Sequence, residues 1–203
     1  MLKISCWNSD WATPSSKRGK FFSDKFDSDI ICLTEGYETL LPQDGYIISS
    51  NEDYGYKIQK GRRKVILWSK NKWTEVNQIG SKEIPTGRFI SGVTNGIKIV
   101  GLCIPWRFAH VSTGRKDRKP WEDHLSFIKN LSFSNEKTII MGDFNQNIPK
   151  KNQPEIVFSS LKKMIDGFNL LTSNMGLIHI VISDDLKAES IQKIATENNS
   201  DHD

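Results

Sequence analysis

Cysteine is scarce: three residues in 203, Cys6, Cys32 and Cys103, each inside an apolar run. An odd number so placed argues against a disulfide framework, and the spacing is not that of metal ligands. We read them as buried thiols of a reducing, cytoplasmic compartment. Long hydrophobic runs are missing as well. No stretch nears the roughly 20 apolar residues needed to cross a bilayer, and MLKISCWNSD lacks the charged-then-apolar layout of a signal peptide. No membrane partner is expected. Repeats, low-complexity tracts and linkers are absent too, so we expect one domain over residues 1–203. Charge of one sign is only mildly in excess, 28 basic against 24 acidic residues. With 37% hydrophobic and 26% charged residues, the composition is that of a globular protein with room for one substantial core.

The basic residues are unevenly spread. Lys60, Arg62, Arg63 and Lys64 form one knot, and Arg107, Arg115, Lys116, Arg118 and Lys119 another, with Trp106, Phe108 and Trp121 among the latter. Basic clusters interleaved with aromatics suit a polyanion such as a nucleic-acid backbone. A solvated surface would read the same way.

Strand patterns cover Leu2–Trp7, Asp29–Leu33, Tyr46–Ile48, Arg63–Trp68, Gly87–Thr94, Ile97–Ile104, Thr138–Met141 and Leu177–Ile182. Asn95-Gly96 between two of them is a hairpin signal, because both positions tolerate positive φ. Helical patterns cover Ser15–Phe26, a segment opening at Lys119-Pro120-Trp121, Pro154–Phe168 and Asp185–Glu197. Strands with hairpins and interspersed helices predict an α/β (α+β) layered fold with mixed sheets.

Three apolar strands each run into polar chemistry at their C-terminal ends: Trp7-Asn8-Ser9-Asp10, Thr34-Glu35, and Gly142-Asp143-Phe144-Asn145. A fourth piece, Ser200-Asp201-His202, closes the sequence. Taken singly, each has an ordinary explanation, since Gly-Asp-x-Asn is good turn chemistry and a terminal histidine is usually solvated. Taken together and in this order, these four pieces resemble the exonuclease–endonuclease–phosphatase superfamily, which includes apurinic endonucleases and pancreatic deoxyribonuclease. Gly101-Leu102-Cys103-Ile104-Pro105 and Trp121-Glu122 extend the resemblance through the middle of the chain.

The resemblance implies a four-layered sandwich of two packed mixed β-sheets flanked by helices. Ending at Asp203, the chain is expected to be one strand short of the usual set. It also implies hydrolysis of a phosphoester by an in-line water with a hard divalent cation, Mg2+ or alternatively Mn2+, on oxygen ligands. Glu35 matches the principal metal ligand, with Asp10 and Asp201 as further carboxylates and Asn8 as the neighbouring amide. Asp143 matches the residue that orients and deprotonates water, Asn145 the one that fixes both the phosphate and Asp143 through its amide, and His202 the donor to a phosphoryl oxygen. Arg88, Arg107 and His110 are candidate phosphate contacts, and Trp106 and Trp11 candidate base-stacking platforms.

Two positions depart from the family pattern: Ile178 stands where an Asp precedes the strand's next residue, and Cys103 where a Tyr is usual. The expectation is therefore a monomeric, metal-dependent phosphodiesterase acting on DNA or RNA. The alternatives are a phosphatase or phosphodiesterase on a nucleotide, inositol phosphate or lipid headgroup, and a degenerate, catalytically weak binding protein.

Overall fold

The computed structural model describes residues 1–52, 59–78, 86–112, 114, 117–134, 136–172 and 176–194. Asp201 and His202 lie outside the described residues, as do Arg115 and Lys116. Two mixed sheets form the centre. One has the strand order β1-β2-β4-β3, built from β1 (Ile4–Asn8), β2 (Ile30–Tyr37), β3 (Tyr46–Ser49) and β4 (Arg62–Ser69). The other runs β5-β6-β7-β8-β10-β9, from β5 (Thr74–Asn77), β6 (Phe89–Thr94), β7 (Ile97–Cys103), β8 (Thr138–Asp143), β9 (Phe168–Leu170) and β10 (Ile178–Ser183).

Strand alternation divides the apolar residues among three cores. Ile139 and Met141 of β8 face the first sheet, meeting Ile30 and Cys32 of β2 and Val65 and Leu67 of β4. Ile140, between them in sequence, points the other way. It joins Val100 and Leu102 of β7, Phe127 and Ile128 of α3 (Glu122–Lys129) and Leu161 of α4 (Glu155–Met164). The outer face of the first sheet carries Trp7, Ile31, Leu33 and Ile66 under Phe22 of α1 (Lys17–Ser23). Trp7 stands edge-on to Phe22 at 5.3 Å between ring centroids. The layers are helix, sheet, sheet, helix, the α/β sandwich expected. With both faces covered, β8 is buried along its whole length, which is why it reads as a solid apolar run.

Three segments differ from the sequence reading. Thr74–Asn77 is an exposed edge strand, TEVN, too polar to signal itself. The helix expected over Pro154–Phe168 closes at Met164, and Phe168, its last expected residue, opens the short strand Phe168–Leu170. The helix expected from Asp185 does not form within the described residues up to Ile194. Its would-be N-terminal acid is used elsewhere. The Asp185 carboxylate accepts from the Lys137 backbone N–H at 3.0 Å and from Ser183 Oγ at 2.5 Å, fastening the end of β10 to the start of β8.

Candidate active site

The ends of β1 and β8 meet the positive-φ bend at Glu35 within β2 at one rim: parallel pairing aligns β1 with β2, and β8 arrives from the facing sheet. In β1–β2 the register places Asn8 opposite Thr34, so Glu35 continues just past Asn8. Across the sandwich the Asn8 amide Nδ2 donates to Asp143 Oδ2 at 3.2 Å. Its carbonyl oxygen accepts from the Asp10 backbone N–H at 2.8 Å, which fixes which end of the amide faces Asp143. The Glu35 backbone carbonyl accepts from the Trp11 N–H at 2.6 Å and from Ser9 Oγ at 2.8 Å. The bend after β1 is thereby tied to β2.

Asp143 is 1% exposed. Its second oxygen accepts from the Asn145 backbone N–H at 2.9 Å. The Asn145 side-chain amide donates to the Ile104 carbonyl at 2.8 Å, so the backbone N–H of Asn145, and not the side-chain amide expected from the sequence, holds Asp143. The Ile104 N–H donates to the Asp143 carbonyl at 2.8 Å, so the loop after β7 starts at the same rim. Gly142 explains the abrupt stop of the apolar run. Its φ of +145° lies where only glycine is at ease, and a Cβ there would stand 1.9 Å from the Leu102 carbonyl oxygen. The backbones of β7 and β8 approach too closely for any side chain.

Asp10, Trp11, Glu35 and Asn145 all have positive φ, at 44°, 59°, 52° and 51°. Such conformations disfavour L side chains by roughly 1–2 kcal/mol each. Four at one rim mark backbone held in place by its surroundings.

Charge at the rim is arranged in pairs. The Glu35 carboxylate is ion-paired with the Lys64 ammonium, their side chains 16% and 5% exposed. Lys64 lies 5.1 Å and the Arg62 guanidinium 4.7 Å from the Trp11 ring, so the first basic knot borders the rim. Arg62 also donates from Nε to Tyr37 OH at 3.1 Å. Asp10 pairs with Arg18 at 2.5 Å. Beneath the rim, burial pushes the Cys103 thiol up to about 12. The negative charges of Asp143 and Glu35 act in the same direction, and Lys64 and Arg88 oppose them. Cys103 is a protonated thiol in the inter-sheet core with four charged neighbours.

Arg88 is 2% exposed and donates from Nη1 to the Cys103 carbonyl at 3.2 Å. Its charge reaches the rim from below, where the sequence suggested an open phosphate contact. Trp106 is 42% exposed, Arg107 lies over the Phe108 ring at 4.2 Å, and His110 is buried 6.2 Å from that ring. Ile178 stands directly opposite Asp143 in the β8–β10 ladder. A cleft of about 370 Å³ lined by Glu38, Glu52, Arg63 and Gln78 is separate from the rim. Arg63 alternates to the other face of β4 from Arg62 and Lys64 and pairs with Glu52 at 2.7 Å.

Sequence reasoning did not bring out the support behind Asn145. His124 Nδ1 lies 2.7 Å from the Pro105 carbonyl, which can only accept, so Nδ1 carries the proton. His124 Nε2 then accepts from the Gln146 side-chain amide at 2.9 Å. His179 Nε2 donates to the Gln146 carbonyl at 3.1 Å, and its Nδ1 accepts from Thr172 Oγ1 at 3.2 Å. Burial lowers His124 to about 4 and His179 in the same direction, each opposed by its hydrogen bond to a carbonyl. Both rings are neutral pins: His124 joins the loops after β7 and β8, and His179 joins the loop after β8 to Thr172 after β9. The one sequence signal was His124 on the inward face of a helix.

A hard divalent ion asks for oxygen donors and is often held by one or two carboxylates, with water and phosphate completing the shell. The rim offers oxygen donors of that kind, the Glu35 carboxylate beside Asn8 and Asp143. It also already draws a cation, the Lys64 ammonium, to Glu35. Among the described residues no group of three or more His, Cys, Asp or Glu surrounds a single point. A water-rich Mg2+-type site fits this donor set, and an all-protein cage does not.

No curated protein sequence matches the chain. Solved structures do match in fold. An AP endonuclease from Archaeoglobus fulgidus has a TM-score of 0.59 at 17% identity, covering 83% of this chain and 72% of that one. The 3'-5' exonuclease NExo from Neisseria meningitidis has 0.60 at 14%, covering 90% and 87%. The endonuclease domain of TRAS1, a telomere-specific non-LTR retrotransposon, has 0.56 at 13%, covering 91% and 85%. The model of the Endonuclease/Exonuclease/phosphatase family matches residues 14–152, more than half of the chain and including Glu35, Asp143 and Asn145. With that match laid over the two-sheet sandwich and the rim where β1 and β8 end beside Glu35 of β2, the chain belongs to the endonuclease/exonuclease/phosphatase family.

Proposed function

We propose that the chain is a divalent-metal-dependent phosphodiester hydrolase that cuts nucleic acid with a water activated at Asp143. The observation that carries this reading is the hydrogen bond from Asn8 to Asp143 across the sandwich, with Glu35 next to Asn8. The ends of β1 and β8 and the bend within β2, from two sheets, converge there.

Asp143 is gripped on both oxygens, so its carboxylate is oriented before substrate arrives and can accept a proton from water. Asn8 sets that orientation, and Asn145 sets it from the other side. Glu35, with Asp201 as the further carboxylate the family resemblance implies, would hold the ion, and His202 would donate to a phosphoryl oxygen. When bound, Mg2+ or Mn2+ supplies Lewis-acid stabilisation of charge developing on the phosphate. Asp10 is tied to Arg18 and is a weaker candidate ligand than Glu35.

Support for nucleic acid over a small phosphoester comes from both flanks. Trp11 with Arg62 borders Glu35 on one side, and the loop carrying Trp106, Arg107 and Phe108 begins beside Asp143 on the other. Aromatic faces beside cations suit unpaired bases and their phosphates. Among the structural neighbours, the 3' phosphatase NExo from Neisseria is bound to a product DNA hairpin.

The test is incubation of the full chain with plasmid, single-stranded DNA, RNA and a panel of small phosphomonoesters, with EDTA or with added Mg2+ or Mn2+. Metal-restored strand cleavage is expected. Release of phosphate from the small esters with all three nucleic acids intact would sink the nuclease reading, and turnover of none would sink the hydrolase reading.

A further inference from the structure

Among the described ion pairs, Lys64–Glu35 is the one with both side chains less than a fifth exposed. Lys3–Asp27, for example, is a surface pair with side chains 63% and 85% exposed. Such pairs contribute little, because water and salt screen them. Lys64 is 5% exposed and sits within an apolar strand, between Arg63, which lies opposite Gly36, and Val65, opposite Thr34. It is thus aimed at the one place where β2 takes a positive φ. Breaking a pair so enclosed costs more than breaking a surface pair. Lys64 is placed to neutralise Glu35.

A divalent ion on the same carboxylate would stand a few ångströms from the ammonium, and like charges at that range inside a protein are poorly screened. Both cannot keep their places. We propose that Lys64 is a built-in competitor for the metal position: it neutralises Glu35 until a divalent ion binds, and metal binding displaces it outward along the Trp11 ring. This rests on the reading that Glu35 holds the ion. Lys64 already stands over the Trp11 ring at 5.1 Å, with Arg62 at 4.7 Å, so it keeps this aromatic contact as it leaves Glu35. The displaced ammonium would then join Arg62 on the flank assigned to substrate phosphates. Metal affinity is thereby weakened by design, and metal loading and the exposure of a phosphate-binding cation become one event.

The experiment is calorimetric titration of the metal-free full chain with Mn2+, for wild type, Lys64→Met and Glu35→Gln. Lys64→Met is expected to bind Mn2+ roughly tenfold tighter or more, the size of a lost charged hydrogen bond. Its thermal midpoint is expected to fall without metal and to rise further than wild type's when Mn2+ is added. Equal or weaker Mn2+ binding by Lys64→Met, with binding lost in Glu35→Gln, would overturn the competition while leaving the metal at Glu35. Unchanged binding in Glu35→Gln would instead overturn the assignment of the metal to Glu35, and the competition with it. A second measurement needs no variant: acylation of Lys64 in wild type, followed by peptide mass spectrometry, should quicken when Mn2+ is added. A rate indifferent to Mn2+ overturns the displacement.

Discussion

At the rim, Glu35 is neutralised by Lys64 and Asp10 by Arg18, on backbone that turns to positive φ at Asp10, Trp11, Glu35 and Asn145. A few residues further in, His124, Gln146 and His179 are held by neutral hydrogen bonds alone, and burial keeps His124 uncharged down to about pH 4. The rim keeps its charges and pairs them; the His124, Gln146 and His179 trio carries none. The difference teaches where reactivity can reside. Paired charges can exchange partners with an ion or a phosphate, whereas a neutral network can only hold its neighbours still.

The largest effect should come from Asp143→Asn. It keeps the shape and removes the proton acceptor, so the cleavage rate should fall roughly 10²–10⁴-fold. The NH2 of the variant faces one of the two donors that hold Asp143, so a stability loss of about 1–3 kcal/mol should accompany it; cleavage that keeps its wild-type rate in the folded variant would remove Asp143 from the chemistry.

On the neutral side, His124→Leu strips the partner from the buried Pro105 carbonyl and from the Gln146 amide. We expect a loss of about 2–3 kcal/mol, which for a chain of this length lowers Tm by roughly 4–12 °C.

The pH profile sharpens the same contrast. The unfolded chain takes up a proton on His124 near 6.5 that the folded chain refuses until about 4. Stability from this group is therefore full above 6.5 and declines as pH falls through that window, by up to about 3 kcal/mol. His179, shifted in the same direction, adds to the slope. Asp27, Asp29 and Asp185, lowered by their basic and hydrogen-bonding partners, lose their share only below their ordinary 3.8 and leave the window clear. Urea midpoints between pH 7 and 4.5 should show the slope in wild type and a shallower one in His124→Leu. Equal slopes would remove His124 from the account.

The smallest effect is expected at Arg18→Met. Its pair with Asp10 is partly exposed, side chains 28% and 39%, and such pairs contribute about 0–1 kcal/mol. A greater loss of stability would show that the rim's outer pair is as structural as the layer within.

Much of the sandwich is legible in the chain because β2, β4, β7 and β8 are covered on both faces and so read as unbroken apolar runs. Thr74–Asn77 is not, since an exposed edge strand leaves no apolar pattern. The segment from Asp185 carries helical spacing, yet its carboxylate serves Lys137, 48 residues away, and spacing cannot record such a bond. The strand-end residues Asn8, Glu35, Asp143 and Asn145 could be picked out as polar groups terminating apolar strands. That Lys64 would stand on Glu35 could not, since it depends on which strand β4 pairs with and in which register.

By itself the sequence determined the local matters: where apolar runs begin and stop, and which acids and amides follow them, because these depend on side-chain period and backbone preference within a few residues. Only the tertiary structure decided who neutralises whom. Glu35 with Lys64, Asn8 with Asp143, and His124 with Gln146 are separated by 29, 135 and 22 residues. Burial sets the charge each can carry, and burial is a property of the packed layers rather than of any one segment.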